Sequence, residues 1–509
     1  MTNWKRIPEN RLAFLMLTAM ALFLVGLIIA TGSGVRQFNF LVVATMLLNI
    51  GLFTAQLLRS INRHAFSFDM MHWLFCLFFL GLAPLAQHLS NTYSWALVPT
   101  YGEIVRANLL FLLWAICYIL GRDYREIPVL NKAVSGISEK LAPLKNKLPL
   151  PKMDAEGFQT RLAEKLGRFT GSGAEGKGIL SRYRSTSLKT KILDLLLMAA
   201  VVCALADVMS VGLIEQVSRN TAAVNTGNTA IDLIATHGVN NLLLFVAAVF
   251  VLEAKKEKKI RWCTLVALGC LGIACFPTGL SRNMMASFYA GMLILMLDWS
   301  KKGRWFSWVI FGGLILIFPA VEVFRWLSTL KKEGLLNILL NSFGSAYVSG
   351  HFDAHQMIVT ISRYVADAGF AWGKQILGAL LFFVPRSIWP GKPEGTGHTA
   401  IVHLDQFYFS NASATMAAEG YVNFGLVGVV VLAVLFGLLV YRVDRFYWRE
   451  RTGFWEEKNG DILYPFAMFM FFFLLRGDMM SAWAYTFAQL MVGLCVLAVY
   501  RFAVNYGEE

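Results

Sequence analysis

Runs of about twenty apolar residues recur from one end of this chain to the other, and they exclude most folds. A run of that length, wound as a helix, matches the roughly 30 Å of hydrocarbon in a bilayer. Inside hydrocarbon every backbone N–H and C=O must be satisfied within the protein, which helices do. The expected fold is therefore all-α and polytopic. Composition agrees: 57% of the 509 residues are hydrophobic and mean hydropathy is +0.55, too apolar for a soluble domain of this size. The first run, 12–31, is too long for a signal-peptide core and reads as an uncleaved span. Seven cysteines lie in or beside apolar runs without a C-x-x-C pair, so neither a disulfide framework nor a zinc site is expected.

The net charge of +14 does not point to nucleic acid, because of where it sits. Residues 122–191 hold 15 Lys/Arg against 7 Asp/Glu, +8 in one block between two spans. Anionic lipid on the cytoplasmic leaflet is the expected partner. Two amphipathic stretches in it, Val134/Ile137/Leu141/Leu144 and Phe158/Leu162/Leu166/Phe169, suit helices lying on that leaflet. Docking of a cytosolic protein is the rival reading. The glycine-rich segment 171–178 follows no strand, and Gly178 stands where a P-loop needs Ser or Thr, so a linker is expected rather than a nucleotide site.

Basic clusters fix the orientation. Lys5, Arg6 and Arg11 precede the first span, and each later cluster up to Lys301/Lys302/Arg304 falls on the same inner side. The span from 415 ends at Arg442, Arg445, Arg449 and Arg451, so it starts outside, as residue 321 does. The apolar run 376–385 between them cannot be a single crossing and reads as re-entrant or surface-lying. The count is twelve spans: helices 1–4 in 1–121, a basic cytoplasmic insertion in 122–190, helices 5–9 in 191–320, a large outer loop region in 321–414 and helices 10–12 in 415–509.

With sides assigned, the unusual polar residues face outward. ATP and nucleotide sugars are cytosolic, so outward chemistry needs an activated group already carried across the membrane, a lipid-linked phosphate ester above all. Arginine grips phosphate oxygens with two donors at once, which makes Arg282, Arg325 and Arg386, with Lys392, the candidate phosphate-binding residues. Arg386 follows an apolar run and precedes Trp389 and Pro390, at the depth of a lipid headgroup. Glu419 begins a span four residues before Asn423, on the same helical face, and is a candidate general base. Asp353, with His351 and His355, is the alternative. His398, Arg476 and Asp478 complete the polar set. With no H-E-x-x-H, no facial triad and no D-x-D, the expected chemistry uses no metal and no cofactor.

The stretches FFVPRSIWPGKPEGTG and AAEGYVNFGLVG, with FDMMHWLFCLFFLGLAPLAQ, PTGLSRN, SGHFDAHQM and LLRGDMMSA, resemble the oligosaccharide repeat-unit polymerases, the O-antigen polymerase or Wzy-type family. The resemblance runs through most of the chain in order, apart from 122–190. In that family a periplasmic loop carries Arg and Gly separated by ten residues, as Arg386 and Gly397 are here. Neither Arg282 nor Arg325 has a glycine at that spacing. The resemblance implies a GT-C-like glycosyltransferase of the bacterial inner membrane with its site facing the periplasm. Its donor and acceptor would be oligosaccharides on undecaprenyl pyrophosphate, and a chain-length regulator is a further implied partner. The arginines would hold the leaving pyrophosphate, and Glu419 or Asp353 would deprotonate the acceptor hydroxyl. The rival functions are an O-antigen ligase, which uses the same donor, and a lipid-linked sugar flippase. A flippase predicts polar residues through both halves of the spans and usually an internal repeat, neither of which is seen.

Overall fold

The computed structural model describes residues 38–93, 98–147, 188–212, 237–297, 306, 309–310, 312–313, 350–405, 412–449 and 459–506. Among these, secondary structure is helical with no strand. Among the described residues, six helices are long and apolar enough to cross a membrane: Phe40–Arg63, Phe68–Ser90, Tyr101–Arg122, Lys189–Ser210, Met416–Trp448 and Met479–Val504. The chain is thus a multi-pass α-helical membrane protein. The other expected spans take different forms. Val239–Lys256 and Asn459–Arg476 have 18 residues each, and Trp262–Ala274 has 13. The expected span 284–299 is a broken helix, Arg282–Met285, a π stretch Ala286–Ala290, then Gly291–Met296. The runs 12–31 and most of 305–320 lie outside the described residues, as does the second amphipathic stretch of the basic insertion.

The chain forms two compact units. The smaller, 123–195 with 500–509, holds a short turn Tyr124–Glu126 and the helix Pro128–Lys147. Its first amphipathic face falls mostly on side chains outside the described set.

The larger unit is built around two glycines. Helices Tyr101–Arg122 and Met416–Trp448 touch backbone to backbone: a Cβ on Gly121 would lie 2.1 Å from the Val434 carbonyl, and one on Gly437 would lie 2.1 Å from the Tyr118 carbonyl. Small residues permit that approach where lipid supplies no hydrophobic drive. Phe68–Ser90 is buried from Phe68 to His88. Its π turns, Cys76–Leu82, come just before Pro84, which has no N–H to give the preceding turn. Its N-terminus is capped by Ser67, whose hydroxyl accepts from Met70 N–H at 3.0 Å.

Toward the end where Tyr101–Arg122 and Met416–Trp448 both finish, the unit encloses an ionic network. Asp69 accepts from Trp73 Nε1 at 2.9 Å, Tyr118 Oη at 3.0 Å and Arg122 Nη1 at 3.2 Å. Arg122 also donates to Gln56 Oε1 at 2.9 Å. Asp444 accepts from Phe68 N–H at 2.9 Å, Asp69 N–H at 3.0 Å and Tyr464 Oη at 2.5 Å. A buried charge persists only when paired and hydrogen-bonded in this way. This network ties five helices together and lies about 27 Å, eighteen helical residues, from Gln87 at the other end of the same helix.

Met416–Trp448 is broken at Phe424 and Gly425 (φ 61°, ψ −144° for the glycine). The break doubles its first two turns back on the third, so that a Cβ on Gly428 would lie 2.1 Å from the Gly420 carbonyl. The carbonyls freed at the break are not left bare. Ala371 N–H donates to Val422 O at 2.8 Å and Trp372 N–H to Asn423 O at 3.1 Å. Gly425→Ala is expected to cost about 1–3 kcal/mol of stability, since its backbone angles suit only glycine and its Cβ would meet the Phe370 ring at 3.0 Å. A melting curve in detergent checks this; an unchanged midpoint would contradict it.

Candidate functional site

The end of the larger unit at which Met416 and Met479 open their helices collects most of the candidate polar residues. The folded-back turns before Phe424 place Glu419 there with only 1% of its surface exposed. Two donors hold its carboxylate. The Thr396 hydroxyl donates to Oε2 at 2.7 Å and Met479 N–H donates to Oε1 at 3.0 Å. Asn423, one turn on, locks the same segment: its amide donates to the Glu419 carbonyl at 2.8 Å, and its Oδ1 accepts from Gln375 N–H at 3.3 Å.

A second carboxylate, Asp353, is reached by Arg476, three residues before Met479. Arg476, the last residue of Asn459–Arg476, pairs with buried Asp353 at 3.4 Å and donates to the Gly350 carbonyl at 3.0 Å. Ser413 hydroxyl donates to Asp353 Oδ1 at 2.8 Å. His351 sits in the turn Gly350–Phe352 just before Asp353. Gly397 closes this arrangement, for a Cβ there would lie 2.4 Å from the Ala412 carbonyl and 2.8 Å from that of Ser413. The segment carrying Thr396 therefore seats directly on the segment carrying Ser413 and Thr415.

Arg386, Lys392 and His398 form a neighbouring surface group. Arg386, 53% exposed at its side chain, faces Glu394 at 3.7 Å and donates to the Lys392 carbonyl at 2.8 Å. His398 Nε2 is 2.6 Å from the other Glu394 oxygen. The Lys392 ammonium donates to the Phe382 and Val384 carbonyls, and burial, with Arg386 nearby, holds its pKa below the usual lysine value. Asp478 caps the next helix, accepting from Ser481 N–H and hydroxyl, both at 3.1 Å, with Gly395 packed on its carboxylate. Arg282 is buried at the start of Arg282–Met285, a helix that packs on Asn459–Arg476. Arg325 lies outside the described residues.

His355 is not an exposed loop residue. Its Nε2 lies 2.8 Å from Asn108 Oδ1, and burial with His88 nearby lowers its pKa to about 4, so it stays neutral at ordinary pH. The network of Asp69, Arg122 and Asp444 went unremarked in the sequence; the available signal was two carboxylates within or beside apolar runs. Gln87 and Glu103 act as structural ties. Gln87 amide donates to the Phe352 carbonyl at 3.1 Å, and Glu103 takes Arg363 in a two-point ion pair at 2.6 and 2.8 Å.

Chemically, the cluster offers a carboxylate held by two donors and shielded from water, an arginine–aspartate pair on the adjoining loop, and an exposed cationic rim. Among the described residues no group of three or more His, Cys, Asp or Glu is placed to hold a metal ion. Comparison with protein families, characterised proteins and solved structures finds no match to this chain.

Proposed function

We propose that this chain is a twelve-span, GT-C-like glycosyltransferase of the bacterial inner membrane. It polymerises oligosaccharide repeat units carried on undecaprenyl pyrophosphate, at the periplasmic face. The observation that carries this reading is the buried Glu419 carboxylate, held by the Thr396 hydroxyl and Met479 N–H beside the loop that carries Arg386 and Lys392. An acceptor sugar hydroxyl that displaces the Thr396 hydroxyl from Oε2 passes its proton to the carboxylate. The acceptor oxygen then bonds to the anomeric carbon of the donor, and the bond from that carbon to the pyrophosphate oxygen breaks. Charge appears on the leaving pyrophosphate, where Arg386, Arg282 and Arg325, with Lys392, neutralise it. Excluding water from the carboxylate limits hydrolysis of the donor. Undecaprenyl-linked donor and acceptor, membrane lipid and a chain-length regulator are the partners in this reading.

Arg386 gives the test. Arg386→Ala is expected to lower polymer formation by about 10²–10³, the loss typical of one transition-state donor, at normal protein level. Arg386→Lys keeps the charge but loses the fork, so it should fall between alanine and the parent. The readout is the length ladder of polysaccharide in cells lacking the native gene. A normal ladder with alanine would remove Arg386 from the site.

A further inference from the structure

We infer that the hairpin 369–392 is a membrane-surface plate, with its apolar side chains inserted in the leaflet at the end where Met416–Trp448 begins. This stands independently of the proposed activity. The helix Lys374–Leu380 is turned inside out for a water-facing element. Gln375, Gly378 and Ala379 are its buried residues, while Leu377 and Leu380 are exposed. Gly378 fits tightly there, since a Cβ would lie 2.4 Å from Pro393 and 3.0 Å from Met480. The small face is therefore the protein side, and the large apolar face points away from it.

The residues on either side continue that face. Trp372 is 75% exposed, Phe383 66% and Ile388 74%. Trp372 takes a left-handed backbone, φ 49°, which bulky side chains rarely adopt. What covers the patch is indicated by its continuity with a lipid-facing surface. The Trp372 ring lies 6.4 Å from that of Phe424, and Phe424 runs directly into exposed Leu426 and Val427 at the top of a membrane-crossing helix. Lys374 is exposed at one edge, placed to reach lipid phosphates from an apolar base. At seven residues the helix is about 10 Å long, far too short to cross, so it lies along the surface as interfacial segments do.

The test places the photo-crosslinking residue p-benzoylphenylalanine at Phe383, at Ile388 and, as a water-facing control, at exposed Asp405. The full chain is reconstituted in vesicles of phosphatidylethanolamine and phosphatidylglycerol and irradiated. Burial of an aromatic side chain in hydrocarbon shifts occupancy roughly tenfold or more. Lipid adducts at positions 383 and 388 are therefore expected at about ten times the control yield. Adducts at or below the control yield would overturn the inference. So would a crosslink joining two copies of the chain, which would make the patch a protein interface.

Discussion

Glu419→Gln is expected to remove polymer elongation, by on the order of 10²–10⁴ in rate, from a protein that still inserts and folds. The substitution keeps the shape of the side chain. The glutamine oxygen still accepts from Met479 N–H, and its amide faces Thr396, whose hydroxyl can turn to accept instead of donate. What disappears is the capacity to take a proton. The measurement is the rate of chain lengthening by purified protein, with the melting midpoint as a check on folding. A variant that keeps the parent's rate would exclude Glu419 as the base and leave Asp353 as the alternative. Asp353 is engaged by Arg476 and Ser413, so an acceptor hydroxyl reaching it would have to displace one of those contacts.

Arg122→Leu is expected to have the largest effect on stability. The guanidinium is the cationic partner of Asp69 in the network toward the other end of the bundle. Removing one member of a buried pair leaves an uncompensated charge and costs about 3–5 kcal/mol. Arg122 also sits at the backbone crossing made by Gly437, so the loss loosens the contact between the two central helices. The double variant Asp69→Asn/Arg122→Leu removes the stranded charge and should recover part of the loss, the non-additivity expected of contacting residues. Melting curves in detergent for the parent, both single variants and the double variant read this out. Strict additivity would mean the pair contributes nothing as a pair.

The helices were legible because the apolar runs carry their own length signal. Phe40–Arg63 and Tyr101–Arg122 follow from hydropathy, and the seven-residue helix at 374–380 occupies the run that parity forbade from crossing. The outward-facing polar residues were legible too, and Glu419, Asp353, Arg476 and Gly397 stand close in the fold. Their grouping was less so, because it depends on a local event. The break at Phe424–Gly425 turns Glu419 back toward Thr396 and Met479, and a glycine inside an apolar run does not announce that angle. The Asp69–Arg122–Asp444 network was hidden for a different reason. Its contacts join residues 53 and 375 positions apart, and only helix packing sets such pairs. In sequence Arg386 and Lys392 are candidate phosphate-binding cations. In the fold both donate to carbonyls of their own loop, which fixes where they point.

The central claim is that the chain itself joins lipid-linked sugar units. Purified protein in proteoliposomes, supplied with undecaprenyl-pyrophosphate-linked repeat units and no other enzyme, should produce a ladder of longer lipid-linked chains and release undecaprenyl pyrophosphate as each link forms. Glu419→Gln run alongside should yield neither. Units that remain single, or that join only when a lipid A-core acceptor is added, would contradict the account, the second result marking a ligase.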